Sequence, residues 1–78
     1  MASTVETANA EIALNSAKAP EGSIWRHKKS GGVYVVKLHV IVEATLAPAV
    51  VYHNRQKAAS EIWCRPASEF FDGRFERL

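Results

Sequence analysis

The chain has 78 residues, of which 47% are hydrophobic, and its formal net charge is +2. This length allows one small domain with a marginal core, and it excludes a separate cofactor-binding domain or a lid domain. No stretch approaches the roughly 20 apolar residues that cross a membrane, so a membrane partner is not expected.

The N-terminal segment, residues 1–21, is predicted to be a flexible or partly helical extension. It is rich in Ala, Ser, Thr and Asn, and its few large apolar side chains are too widely spaced to form a helical stripe. Thr7 or Asn9 is the expected cap of any short helix. Pro20-Glu21-Gly22-Ser23 breaks the segment, so the folded domain is predicted to span residues 22–78.

A β-hairpin is predicted next. Residues 24–29 form its first strand, with Trp25, His27 and Lys29 on one face. Ser30-Gly31-Gly32 supplies the turn, because glycine readily adopts the positive φ angles of tight hairpins. Residues 33–42 form the longest strand, in which the even-numbered residues from Tyr34 to Val42 make an unbroken apolar face.

The remaining residues predict three more strands. A loop at 43–48 precedes a strand at 49–53, and a polar turn at 54–59 precedes a strand at 60–65. Pro66 favours one helical turn over residues 66–71, since proline fits the first helical position. Asp72-Gly73 then marks a turn before a short strand at 74–75. The predicted fold class is all-β, a small SH3-like barrel of about five strands with one helical turn near the C-terminus.

Several short motifs in residues 22–78 occur together in one known family. They are Trp25-Arg26-His27-Lys28-Lys29, then Gly32, Tyr34 and Val36, then Val51-Tyr52, then Trp63-x-Arg65-Pro66, and finally Phe70 or Phe71 before Asp72-Gly73-Arg74-Phe75. With these motifs the chain resembles the small bacterial and phage family called domain of unknown function 1653. The resemblance implies a compact domain and a phage or phage-like source, and it brings no activity or catalytic residue.

Basic residues are concentrated in the middle of the chain. Residues 24–57 contain six Lys and Arg residues and one acidic residue, Glu43. Such a block favours acidic partners, although it also suits a solvated face that keeps a small protein in solution. Trp63 and Arg65 alternate onto one face and suit a site that combines stacking and charge. At least one of Trp25 and Trp63 is nevertheless expected to lie in the core, where each could bury on the order of 200 Å². The candidate partner- or ligand-binding residues are Arg26, His27, Lys29, Tyr52, Trp63 and Arg65.

No set of catalytic groups is visible, so the chain is not expected to be an enzyme. The three histidines lack nearby carboxylates, which argues against a metal site, and no cofactor motif is present. Cys64, the only cysteine, is expected to be a small buried hydrophobe. A lone cysteine and the absence of a signal peptide predict a reducing cytoplasm.

Two functions remain open on these observations. The first is a phage-encoded binding module that recognises a host protein complex through a basic-aromatic surface and inhibits or regulates it. The second is a protein that binds nucleic acid or nucleotides, with Trp63 or Tyr52 for stacking and Arg26, Lys29 and Arg65 for phosphate. A homo-oligomer is also predicted, since edge strands and a marginal core both gain from a partner.

Overall fold

The fold is known from a computed structural model that describes residues 4–57 and 61–78. It is mostly β, with five antiparallel strands in one sheet, one helix and one short helical turn. In chain order the elements are α1 (Val5–Lys18), β1 (Ile24–His27), β2 (Val33–Val42), β3 (Ala47–Asn54), β4 (Ile62–Pro66), α2 (Ala67–Phe70) and β5 (Phe75–Arg77).

The strands lie in the order β4-β3-β2-β1-β5, so β4 and β5 are the two edges of the sheet. Within the described residues no backbone pairing joins these edges, and the sheet is therefore open. The prediction of a chain dominated by β-strands is confirmed, whereas closure into a barrel is not established.

Most predicted strands differ from the observed ones only at their ends. β2 has the predicted bounds, while β1 ends at His27, α2 covers only Ala67–Phe70, and β5 is Phe75–Arg77. β3 begins before Pro48, within the predicted loop. Proline is tolerated there because β4 pairs only with Ala49–His53, which leaves Pro48 with β2 as its single neighbour. Residues 58–60, on which part of a predicted turn and strand fall, lie outside the described residues.

The predicted unbroken apolar face of β2 is wrong because β2 contains a β-bulge. Val36 pairs with Tyr52, and Leu38, two residues further along β2, pairs with Val51, which is only one residue further along β3. Lys37 is therefore an extra residue without a partner on β3. An extra residue exchanges the two faces of the strand beyond it. Leu38 is consequently 39% exposed, and His39 lies on the same face as Val36.

Helix α1 begins one turn earlier than its predicted caps imply. Thr4 is the N-cap: its side chain accepts a hydrogen bond from the Thr7 backbone N–H (3.1 Å), and its own N–H donates to Thr7 Oγ1 (3.0 Å). The expectation that Thr7 or Asn9 caps the helix is therefore wrong. The reciprocal pattern is that of a capping box, but Thr7 occupies the place where Glu or Gln is the usual signal.

Replacing Thr4 with Ala is expected to lower the stability by about 1 kcal/mol, because the helix loses an acceptor for its first free N–H groups. Urea unfolding followed by far-UV circular dichroism measures the change. Thr4→Ser is the matched control, since it keeps a hydroxyl at the same place. Equal stability of the Ala and Ser variants would show that the cap contributes nothing.

Helix α1 packs against the sheet mainly through small residues. The buried or half-buried residues of α1 recur at helical spacing and are Ala8, Ile12, Asn15 and Ser16. Ala19, the first residue beyond the helix, is buried as well. Of the two conformations predicted for this segment, the structure shows the helix.

Two side chains of the sheet also form hydrogen bonds with carbonyl groups at the end of α1. His39 Nε2 lies 2.8 Å from the Ala19 carbonyl, and Arg77 Nη1 donates to the Lys18 carbonyl at 3.1 Å. Since a carbonyl only accepts, His39 carries its hydrogen on Nε2. These two bonds satisfy carbonyl groups that a helix end leaves free, and they tie α1 to β2 and β5.

An aromatic core lies on the face of the sheet that α2 covers. Phe70 of α2 is completely buried, and the rings of Trp25, Tyr52 and Phe75 surround it at centroid distances of 4.5–5.5 Å. The Trp25 indole N–H donates to Ser23 Oγ at 3.0 Å, so its one polar atom is satisfied inside the core. Of the two tryptophans, Trp25 is the core residue.

Candidate functional site

The pairing of β3 with β4 settles which residues share a face. Tyr52 pairs with Trp63 and Val50 pairs with Arg65, so Trp63 and Arg65 share a face, as predicted, and this face is the one that carries the aromatic core. Beside them the sheet surrounds an open cavity of about 200 Å³, which we call the cleft. It is lined by His27, Ser30, Tyr34, Tyr52, Trp63, Arg65 and Phe75.

Aromatic rings form the walls of the cleft. Tyr34 meets Tyr52 edge to face at 5.3 Å and Phe75 at 6.0 Å, and His27 meets Phe75 at 5.0 Å. The Tyr34 ring also lies against the hairpin turn, where a Cβ on Gly32 would come within 3.0 Å of it. Glycine at this position therefore permits the close approach of ring and backbone. The result is a wall whose shape is set by packing.

Trp63 differs from the other rings because it is not packed into the core. It is 49% exposed on the edge strand β4. A large apolar side chain held half in solvent beside a cavity retains surface that a ligand can bury. Trp63 is thus the part of the cleft with the most to gain from a bound partner.

Arg65 is held in place by the residues around it. Its Nε donates to the Tyr52 hydroxyl at 3.3 Å, and its guanidinium lies over the Phe75 ring at 5.7 Å from the centroid. Glu69 is 3.7 Å from Nη1. The hydrogen bond with Tyr52 is the main reason that the pKa of Arg65 lies above its ordinary value. Arg65 therefore presents a fixed positive charge to the cleft.

A second cavity adjoins the cleft and shares His27 and Arg65 with it. This cavity, which we call the basic recess, has a volume of about 430 Å³, and its other lining residues are Lys28, Lys29 and Arg74. Arg74 is paired with Glu69 at 3.2 Å and with Asp72 at 3.0 Å. Every lining residue of the recess is basic, so an acidic group is the ligand that it favours.

His27 stabilises the turn between the two cavities. The Ser30 backbone N–H donates to His27 Nδ1 at 3.3 Å, and the Ser30 hydroxyl lies 3.0 Å from the same atom. Because a backbone N–H only donates, Nδ1 is an acceptor and the ring hydrogen is on Nε2. His27 thus positions the basic residues that follow it.

Arg26 is the predicted contact residue that lies elsewhere. It alternates with Trp25 and His27 and so lies on the opposite face of β1, where its Nε donates to Glu76 Oε1 at 3.1 Å. That hydrogen bond holds the pKa of Glu76 below its ordinary value. The structure brings together His27, Lys29, Tyr52, Trp63 and Arg65 around the two cavities and leaves Arg26 outside them.

Across residues 4–57 and 61–78, no group of three or more His, Cys, Asp or Glu side chains is arranged to hold a metal ion. No helix in these ranges is long and apolar enough to span a bilayer. Cys64 is exposed on β4, so the expectation that it is buried is wrong. Cys64 pairs with Val51, which in turn pairs with Leu38, so the three residues lie in one row on the outer face of the sheet.

No known protein family, curated protein or solved structure matches the chain. The resemblance to the domain of unknown function 1653 therefore stays a prediction, and the function is argued from the site alone.

Proposed function

We propose that the chain is a non-catalytic binding module that recognises an acidic segment of a protein partner through the cleft and the basic recess. The observation that carries the proposal is the half-exposed Trp63 beside the fixed charge of Arg65, above a cavity with aromatic walls. Tryptophan, tyrosine and arginine are the residues most enriched among those that dominate protein–protein binding energy.

The size of the cleft favours a single inserted side chain. Its volume of about 200 Å³ lies below the range of about 300–1,000 Å³ that is usual for small-molecule pockets. An apolar or aromatic side chain would bury the free surface of Trp63, and neighbouring carboxylates would reach the basic recess. The partner segment is therefore expected to combine one large side chain with acidic neighbours.

A nucleotide or single-stranded nucleic acid is the second candidate ligand. A base could stack on Trp63, while Lys28 and Lys29 in the adjoining recess could contact phosphate. Against this, Glu69 and Asp72 lie among the cations and pair with Arg65 and Arg74. These carboxylates reduce the positive field for a phosphate and for an acidic peptide alike. The preference for a protein partner therefore rests on the Trp63, Tyr52 and Arg65 side chains, which are the residue types enriched at protein–protein interfaces.

Two further parts of the proposal concern architecture and setting. We propose that the sheet curls as an SH3-like barrel, which is supported by the helical turn before β5 and by the contact of Arg65 on β4 with Phe75 on β5. We also propose that the protein is phage-encoded, acts in the cytoplasm and modulates a host protein complex, on the strength of the family resemblance and the single cysteine.

Binding is tested by fluorescence anisotropy with two labelled probes, a glutamate–tyrosine copolymer and a short oligothymidylate. We expect the copolymer to bind, and Trp63→Ala to weaken it by about 30-fold, the effect of losing about 2 kcal/mol at an interface hot spot. Arg26→Ala is the matched control, since Arg26 lies on the opposite face, and it should leave the affinity unchanged.

Charge reversal separates the basic recess from the general charge of the protein. Lys29→Glu, in the recess, should abolish copolymer binding, whereas Lys37→Glu, at the exposed bulge, should not. Salt-sensitive binding of oligothymidylate without binding of the copolymer would overturn the proposal in favour of the second candidate. Equal effects of the two reversals would assign binding to net charge and would also overturn it.

A further inference from the structure

The two edges of the sheet differ in character. β4 exposes an apolar side chain on each face, with Ile62 55% and Trp63 49% exposed, and Cys64 is exposed as well. β5 carries the charged residues Glu76 and Arg77, and charged side chains are a common means of preventing an edge strand from pairing with another chain. β4 contains one charged residue, Arg65, among its five, whereas two of the three residues of β5 are charged, so β4 is the more apolar of the two edges.

We propose that β4 pairs antiparallel with β4 of a second copy of this chain, about a twofold axis at Cys64. Cys64 is the central residue of β4, so this register opposes the full length of the two strands. The unpaired backbone groups of an edge strand are complementary to those of an identical antiparallel strand. The two sheets would then continue into one.

The side chains of β4 are complementary to themselves in this register. Trp63 lies opposite Arg65 of the second copy on the cleft side, which allows a cation–π contact on each side of the axis. Ile62 lies opposite Pro66 of the second copy, and this pair is apolar. Neither pairing opposes two like charges.

The outer face of the sheet continues the same interface. Leu38 pairs with Val51, and Val51 pairs with Cys64, so these three residues form one row across β2, β3 and β4. The twofold axis would join this row to its copy and produce an apolar strip across both sheets. A strip without charged residues offers nothing for a charged partner to recognise, which favours a second copy as the occupant.

Sedimentation velocity at micromolar concentrations tests the proposal, and the wild-type protein is expected to be a dimer. Cys64→Lys places two like charges directly opposite each other and should give a monomer. Leu14→Lys, on an exposed site of α1, is the matched control and should remain a dimer. Cys64 alternates with Trp63 and Arg65 and so lies on the face away from the cleft, and Cys64→Lys therefore changes no residue that lines the cleft.

Oxidation of the wild-type chain is an independent measurement that needs no folded variant. Directly opposed residues on antiparallel strands have Cα atoms about 4.5–5.5 Å apart, which is within the range of a disulfide. Copper phenanthroline should therefore convert the protein to a disulfide-linked dimer. A Cys64→Ser/Leu14→Cys chain, with its thiol on α1, should cross-link far less. A monomeric wild-type protein, or a dimer that survives Cys64→Lys, would overturn the proposal.

Discussion

Replacing Phe70 with Ala is expected to lower the free energy of unfolding by about 3–5 kcal/mol. Phe70 is fully buried, stacks on Phe75 at 4.5 Å, and contacts Trp25, Tyr52 and Phe71 at their edges or at a tilt. Its removal leaves a cavity at the one place where α2, the hairpin and β5 all meet. Because a chain of this size has only about 3–5 kcal/mol to lose, the variant should be largely unfolded.

Far-UV circular dichroism and urea unfolding measure this effect. Leu14→Ala removes an apolar side chain that is 66% exposed on α1, and it should change the stability by less than about 0.5 kcal/mol. Phe71→Ala is expected to fall between the two, since Phe71 is half-buried against the same cluster. A folded Phe70→Ala protein with near wild-type stability would show that the core does not depend on this ring.

The hairpin and the Trp63-Arg65 face could be predicted because both depend on local alternation. The bulge at Lys37 could not, since residues 33–42 alternate without interruption and the extra residue is defined only by its pairing with β3. The bulge has a structural consequence, because it turns His39 inward. There the His39 side chain forms a hydrogen bond with the end of α1. An alternation rule applied to β2 alone would instead place Leu38 in the core.

Tyr34 and Phe75 are site residues that the sequence did not identify. The sequence assigns both residues only to strands and to the family motif, and their convergence depends on β1 lying between β2 and β5. The same strand order explains why Arg26 is separated from the other predicted contact residues. Alternation separates Arg26 from His27, but only the position of the core decides which face of β1 carries the cleft.

Helix α1 was difficult to predict because its contact face consists of small side chains. Ala8, Ser16 and Ala19 contribute little to any hydrophobic periodicity, yet their size lets the helix approach the sheet closely. The pattern that signals packing in a helix is usually a stripe of large apolar residues. In α1 small residues that allow close packing take the place of such a stripe. The sequence therefore predicts an extension at residues 1–21, and the packing of the helix on the sheet is evident only from the structure.

Deleting residues 1–21 is expected to destabilise the remaining domain by on the order of 3 kcal/mol. The deletion exposes apolar surface that Ala8, Ile12 and Ala19 cover, at about 0.8 kcal/mol for each buried methylene equivalent. It also removes the carbonyl groups that accept hydrogen bonds from His39 and Arg77. Urea unfolding of residues 22–78 beside the full chain measures the difference.

A matched pair of point variants shows whether docking of α1, rather than its mere presence, provides this stability. Ala8→Arg inserts a long charged side chain at a fully buried position and should cost about 1–3 kcal/mol, whereas Ala13→Arg on the exposed side should be nearly neutral. If residues 22–78 were as stable as the full chain, the first twenty-one residues would be an extension independent of the domain. Loss of stability in both the deletion and Ala8→Arg, with Ala13→Arg unaffected, would instead make α1 an integral layer over the far end of β2 and β3.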